Sequence, residues 1–432
     1  MKLSRISMAF AILLACTIIQ PIRTEGQTPG STATPIPDHV TLSWTGDPAT
    51  TMTITWRTDA TVIAGFVQYR RGSCLANDSL KAEARPRDFI TETGTTHLFT
   101  STLAGLSPNT RYSYRVGDGV HWSKTHTFKT ADPESNAFKF LIFGDSQSPV
   151  TGSDPYGLWR ETIQNAYKAN PDADFFVNVG DLVDFGQIEA HWDAWFAAAK
   201  GVIDTIPAMP TTGNHESYGS RDTLKPLYFT EQFSLPRNGP VGLKDQVYSY
   251  NYGPVHLVVL DSQAKEQRKY GDILSIQQSW LESDLTTSHR DWTIAFFHRA
   301  PYGVKPDRNE TEIRAAFCPT LENHHVDLVF NAHDHGIKRT YPIKDGIVMK
   351  DPSEGTIYYV TGRSGSKTYP DLEEKEYAAF FYAPLAQPNY IVVEGTDQKI
   401  TVKTVLQDGT VIDTLTIDKP KTRTFMGIPI QF

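Results

Sequence analysis

Phe138-Lys139-Phe140-Leu141-Ile142-Phe143-Gly144-Asp145-Ser146-Gln147 decides the fold: an apolar run gives way at once to a polar Gly-Asp turn. A run of this kind reads as a strand buried on both faces, and the loop after such a strand is where an α/β sheet delivers side chains to a site. The same event recurs in a fixed order. Gly180-Asp181-Leu182-Val183-Asp184 follows the run Asp174 to Val179, and Gly213-Asn214-His215-Glu216 follows Ile206 to Met209. Phe297-His298 closes the run from Trp292, and Ala332-His333-Asp334-His335 follows Val326 to Phe330. Singly, Gly-Asp and Gly-Asn pairs are ordinary turn formers. In series, each after an apolar run, they place Asp, Asn and His side chains on loops at one rim of a sheet. These are hard or borderline metal ligands, and a site for two metal ions is the simplest use for so many of them.

Working outward, helical patterns separate these runs: Tyr156 to Ala169, the spacing of Trp192, Trp195 and Phe196, Ile276 to Leu285, and Glu312 to Asn323. Val255 to Leu260 reads as a further strand, and Ile357 to Ile417 as mostly β, with Asp408-Gly409 as a hairpin turn. The expectation for residues 137–418 is an α/β (α+β) domain of two packed sheets flanked by helices. Residues 38–131 have another texture, with short alternating runs such as Thr53-Ile54-Thr55-Trp56, Gly65 to Tyr69 and Tyr112 to Val116 separated by turns. That spacing predicts a β-sandwich. Leu106-Ser107-Pro108-Asn109-Thr110-Arg111-Tyr112 resembles the tyrosine corner of fibronectin type III domains, with Trp56 as their early-strand core tryptophan.

A chain of 432 residues with 39% hydrophobic content is long enough for two cores, and a net charge of −8 supplies no basic field for a nucleic-acid backbone. Lys2 and Arg5 ahead of the apolar stretch Met8 to Ile19 predict a signal peptide over residues 1–24, followed by a linker over 25–37. No later segment is long and apolar enough to cross a bilayer. The expected location is secreted, periplasmic or at the cell surface. Leu13-Leu14-Ala15-Cys16 resembles a lipoprotein processing site, a second reading in which Cys16 carries a lipid anchor. Cys74 and Cys318 either bridge the two domains or stay as free thiols, and the absence of CxxC spacing excludes a zinc-thiolate site. Residues 419–432 read as a tail.

The five clusters, in this order, resemble the signature of the calcineurin-like metallophosphoesterases, and among them the purple acid phosphatases, which carry a fibronectin-like domain ahead of the catalytic one. The resemblance implies that Asp181 bridges two metal ions, that Asp145 and His335 hold the first, and that Asn214, His298 and His333 hold the second. The ions would be divalent or trivalent iron, manganese or zinc. His215 would be the general acid, with Glu216 holding or polarising its ring. Two positions depart from the pattern: Asp184 stands where purple enzymes carry a tyrosinate, and Gln147 where other members carry a histidine. Either can fill the gap at the first metal directly or through water, and Asp184 reads equally as an exposed loop carboxylate. Ala332 replaces a family glycine.

Asp334, between two ligand histidines, is expected to point away from the metals. His191, His256, His324 and His325 read as structural, and Arg299, Lys305, Arg308 and Arg363 individually as ordinary surface cations. No His pair lies between Tyr302 and Glu310, so substrate contacts stay unassigned.

The function these readings imply is an exported metal-dependent phosphoesterase, acid-phosphatase-like, hydrolysing a small-molecule or macromolecular phosphomonoester with a hydroxide held between two metals. A phosphodiesterase or nucleotidase on the same site is the alternative. A different class is a cell-surface binding protein that has lost turnover and uses its sandwich domain.

Overall fold

The computed structural model describes residues 31–219, 225–306, 308 and 310–419, and the backbone of a short hairpin, Arg423–Phe425 with Ile428–Ile430. The expected signal peptide, Cys16, the first part of the linker and most of the tail lie outside the described residues.

Eight strands build the first domain: β1 (Asp38–Ser43), β2 (Met52–Asp59), β3 (Gly65–Arg71), β4 (Leu80–Ala84), β5 (Pro86–Thr91), β6 (Gly94–Leu103), β7 (Arg111–Gly117) and β8 (His126–Lys129). They form two antiparallel sheets, ordered β1-β2-β6-β5 and β4-β3-β7-β8. Trp56 is fully buried and stacks on Phe99 with ring centroids 5.3 Å apart. The Tyr112 hydroxyl accepts a hydrogen bond from Ser107 N at 2.9 Å, tying the loop before β7 to that strand.

The second domain carries β9 (Phe138–Phe143), α1 (Gly157–Ala169), β10 (Phe175–Asn178), α2 (Glu189–Ala199), α3 (Leu227–Gln232), β11 (Tyr248–Tyr252), β12 (Val255–Val259) and α4 (Ala264–Gln267). It continues with α5 (Ile273–Thr287), β13 (Trp292–Arg299), α6 (Thr311–Asn323), β14 (Leu328–Ala332), β15 (Ile337–Thr340), β16 (Ile343–Lys344) and β17 (Ile347–Val348). The last strands are β18 (Ile357–Thr361), β19 (Ala378–Tyr382), β20 (Asn389–Gly395), β21 (Lys399–Leu406) and β22 (Val411–Asp418). A five-stranded sheet has the order β10-β9-β20-β21-β22 and a seven-stranded sheet the order β11-β12-β13-β14-β18-β15-β19. Their inner faces meet through aromatic rings, Phe140 lying 6.4 Å from Phe296. The strands that feed the site, β9, β10, β13 and β14, run parallel to their neighbours in these pairs and are mostly buried, which is why their sequences are rich in apolar residues.

Two elements differ from the sequence expectation. The run Ile206 to Met209 makes only isolated parallel bridges to the β10 region, at Ala208 and Thr211, because Pro207 and Pro210 withhold ladder donors. His298 lies inside β13 and not on the loop beyond it; the β13–β14 register shifts between Phe296 and Arg299.

The two domains share one apolar core. At their junction Arg57 of β2, 1% exposed, ion-pairs with Asp38, Glu189 and Asp193, each at 2.7 Å. The backbone of β1 also bonds to the second domain, Leu42 N to Ile203 O at 3.0 Å and Ala208 N to Leu42 O at 2.8 Å. Residues 31–37, read from sequence as linker, are partly docked there: Ser31 Oγ donates to Glu189 Oε1 at 3.0 Å, and Asp59 N to Thr34 O at 3.0 Å. Cys74 is exposed, Cys318 is buried, and both are free thiols, so no disulfide bridges the domains.

Candidate metal centre

Four strand ends and the Asn214 loop converge on one buried cluster. Asp181, His298 and His333 bring one donor atom each to within 4.8 Å of one another, as do Asp145, Asp181 and His335. Asp181 belongs to both triads. The backbone bends sharply to achieve this: Asp145, Asp181, His333 and His335 have φ of +49°, +52°, +73° and +56°. A side-chain-bearing residue pays of order 1 kcal/mol or more for that conformation, and four such positions at one place mark strain held for function. Gly213 allows the closest approach, since a Cβ there would lie 2.2 Å from both the N and Oδ1 of Asp181.

Hydrogen bonds fix the histidine tautomers. A carbonyl can only accept, so His298 donates from Nδ1 to Val179 O at 2.8 Å, and His335 from Nδ1 to Lys367 O at 2.7 Å. Both rings therefore turn Nε2 inward, His298 Nε2 lying 3.2 Å from Asp181 Oδ2 and His335 Nε2 3.5 Å from Asp145 Oδ1. His333 directs Nδ1 to the cluster, 3.1 Å from His298 Nε2.

Three buried oxygens on the cluster's own loops accept no hydrogen bond: Asp145 Oδ1, Asn214 Oδ1 and Gln147 Oε1. Asn214 donates from Nδ2 to the Tyr218 hydroxyl at 2.8 Å, which orients that bare amide oxygen. Buried acceptors without donors are costly unless a cation completes them. The charges say the same. Burial, with Asp181 nearby, pushes the Asp145 carboxyl up to about 8 despite His298, while His298 overcomes its own burial through Asp181 and rises to about 9. Two carboxylates and the ring nitrogens of three histidines, converging in a buried cluster, fit a pair of metal ions.

Gln147 sits within this cluster, its Nε2 3.3 Å from Asp181 Oδ2 and 3.4 Å from His335 Nε2. Asp184 lies just outside and is not a free loop carboxylate: its Oδ1 is 3.3 Å from His215 Nδ1, and its carbonyl accepts from that nitrogen at 2.6 Å. His215 Nε2 points inward, 3.8 Å from Asp181 Oδ2. Burial would lower the His215 pKa, but Asp181 and the bonds to Asp184 hold it above the ordinary value.

Glu216 corrects the sequence reading. Its carboxylate does not hold the His215 ring; it is fully buried and accepts from four backbone amides, those of Asp181 (2.9 Å), Leu182 (2.8 Å), Val183 (3.3 Å) and Gly213 (2.6 Å). It thus clamps the Asp181 and Asn214 loops together. Burial, with Asp181 close by, pushes its pKa up to about 7 against the pull of those amides.

Asp334 points away, accepting from Val304 N at 2.7 Å and Arg308 Nη1 at 2.8 Å. Arg299 is not a surface cation: it is buried, pairs with Glu266 and Glu310, and contacts His333 Nε2 at 3.1 Å. Arg363, also buried, donates to the carbonyls of Pro384, Gly365 and Leu385. His191 bonds Tyr156, His256 bonds Asn251 and Asp284, and His324 bonds Glu282, and none of them belongs to the donor triads. Sequence reasoning missed Lys367, whose carbonyl orients His335, Tyr218, which orients Asn214, and Tyr369, whose ring lies 4.7 Å from that of His335. Tyr218 had a signal, lying three residues after His215 beside a ligand loop; Lys367 and Tyr369 had none.

Comparison with known proteins agrees with this geometry. The purple acid phosphatase N-terminal domain matches residues 37–130, and the calcineurin-like phosphoesterase domain matches residues 138–336. The chain thus carries a calcineurin-like phosphoesterase domain behind a purple acid phosphatase N-terminal domain, and is a phosphoric ester hydrolase. It is similar to acid phosphatase type 7 of Mus musculus, 26% identical over 420 residues that cover 89% of this chain and 91% of that one. It is also similar to probable inactive purple acid phosphatase 27 of Arabidopsis thaliana, at 25% identity over 70% of this chain and 53% of that one. The fold matches purple acid phosphatase PPD1 of yellow lupin with a TM-score of 0.75 and 20% identity, covering 89% of this chain and 74% of that one. Purple acid phosphatases use a dinuclear metal centre, and the two donor triads are candidate ligand sets for one here.

Proposed function

We propose that this chain is an exported, acid-phosphatase-like phosphomonoesterase. The observation that carries the reading is the pair of donor triads sharing Asp181, with His215 held beside them in one orientation. Asp181 would bridge two ions, Asp145 and His335 would complete the first and Asn214, His298 and His333 the second, with Gln147 within reach of the first. When bound, the ions supply Lewis acidity that makes a water nucleophilic near neutral pH and neutralises phosphoryl charge.

The chain's own residues do the rest. His215 keeps its Nδ1 proton on the Asp184 carbonyl and turns Nε2 toward Asp181, so the protonated, cationic ring donates its Nε2 proton to the departing ester oxygen and is left neutral with Nδ1–H intact. Glu216 holds the two ligand loops in register, and the burial of the cluster excludes bulk water. Export rests on the signal-like residues 1–24; among the described residues no helix is long and apolar enough to cross a membrane.

Metal analysis with side-by-side assays of 4-nitrophenyl phosphate and bis(4-nitrophenyl) phosphate tests this. Two bound metals, faster monoester turnover, and loss of both metal and turnover in Asp181→Asn are expected. A diester preference would make the protein a phosphodiesterase. A protein that binds no metal and turns over neither substrate supports instead a binding role for the sandwich, a reading favoured by the departures at Gln147 and Asp184.

A further inference from the structure

The segment after β18 is pressed onto the ligand loop. Ser364 N donates to Gly144 O at 2.7 Å, Gly365 N to Asp145 O at 3.0 Å and Ser366 N to Gln147 O at 3.2 Å. Gly365 is needed there, since a Cβ would lie 2.4 Å from Gln147 O. Arg363 stiffens the turn by donating to Gly365 O at 2.5 Å, and Lys367 O receives the His335 Nδ1 proton. Lys367 is therefore delivered by a braced backbone, and its Nζ stands 3.0 Å from His215 Nε2.

The neighbouring cations are already committed. Lys305 pairs with Asp371, Arg308 with Asp334, and Arg299 with Glu266 and Glu310. Lys367 forms no ion pair with a carboxylate among the described residues, and its ammonium donates toward His215 Nε2, the atom that must carry the leaving group's proton, so it has to turn to an anionic oxygen when that ring is protonated. A half-buried cation with spare donors beside a reaction centre suits an anionic oxygen. A phosphomonoester dianion has three terminal oxygens sharing two charges; a diester has two sharing one. A further cationic donor serves chiefly the dianion.

Resting on the phosphomonoesterase reading, the geometry points to Lys367 as a substrate-binding residue that holds a terminal phosphoryl oxygen beside His215 and makes the site selective for monoester dianions over diesters. The residue gains its place from Gly365 and Arg363. It also fills the role left open by the lack of a His pair between Tyr302 and Glu310.

The test compares Lys367→Met and Lys367→Arg with the unaltered protein, each loaded with manganese and checked for metal content. Turnover of 4-nitrophenyl phosphate and bis(4-nitrophenyl) phosphate is measured, together with calorimetric binding of inorganic phosphate. In Lys367→Met, monoester kcat/KM and phosphate affinity are expected to fall about 10- to 100-fold, the size of one charge-assisted contact, and the diester to lose about threefold or less. Lys367→Arg should restore most of the loss. Equal losses on both esters, or unchanged phosphate affinity, would overturn the assignment. If the unaltered protein hydrolyses neither ester, the phosphomonoesterase reading fails by itself, and the phosphate titration still decides whether Lys367 binds the anion.

Discussion

Glu216→Gln is the substitution that most sharply tests how this centre is held. Each carboxylate oxygen serves two amides: Oε2 accepts from Asp181 and Gly213, Oε1 from Leu182 and Val183. Whichever way the amide is placed, its NH2 faces two N–H groups, so two charge-assisted bonds become donor–donor contacts in a buried site. At roughly 1.5–3 kcal/mol per such bond, partly offset by removing a buried charge, the net loss is about 3 kcal/mol. In a domain of this size that lowers Tm by on the order of 5 °C. Because the freed loops carry Asp181 and Asn214, metal affinity should also fall, by about 10- to 100-fold. Calorimetric melting and manganese titration read both effects. Had Glu216 polarised His215, the variant would instead change kcat and its pH profile at full metal loading. Unchanged Tm and metal affinity alongside such a change would refute the clamp.

Asp184→Asn should leave metal content intact and lower kcat about 10-fold with KM nearly constant, because the His215 ring loses its charged partner; unaltered kcat would return Asp184 to an ordinary loop residue. Arg57→Met strands Glu189, 2% exposed, without its counter-ion, and should cost about 3–5 kcal/mol, seen in denaturant unfolding as a lower midpoint shared by both domains. Asp193 provides a pH dependence. Burial would raise its pKa, but His39 and Arg57 outweigh burial and bring it from 3.8 to about 2. The folded value is the lower one, so the stability it contributes, about 2 kcal/mol, is present above pH 4 and is lost as the pH falls toward 2. Asp193→Asn should flatten the unfolding free energy over that interval, and an unchanged slope would dismiss the pairing.

The run from Phe138 to Gln147 and its successors carried the fold because burial on both faces writes itself into sequence as unbroken apolar residues, and a ligand loop as an abrupt polar turn. Asp145, Asp181, His298, His333 and His335 were legible on that basis, and the structure draws them together. The strand expected at Ile206 to Met209 was not realised, since Pro207 within it and Pro210 after it leave too few donors for a ladder. Asp184, Glu216 and Lys367 separate the two kinds of knowledge most clearly. Residue type and spacing near a ligand cannot say whether a carboxylate meets an imidazole, as Asp184 does, or four amides, as Glu216 does, because loop curvature sets that choice. Lys367 is far from every motif in sequence and reaches His215 only because β18 returns beside β14 and its following turn binds the Asp145 loop. Local chemistry determined which side chains this chain could bring to a metal centre; long-range packing alone decided which neighbours orient them and which cation meets His215.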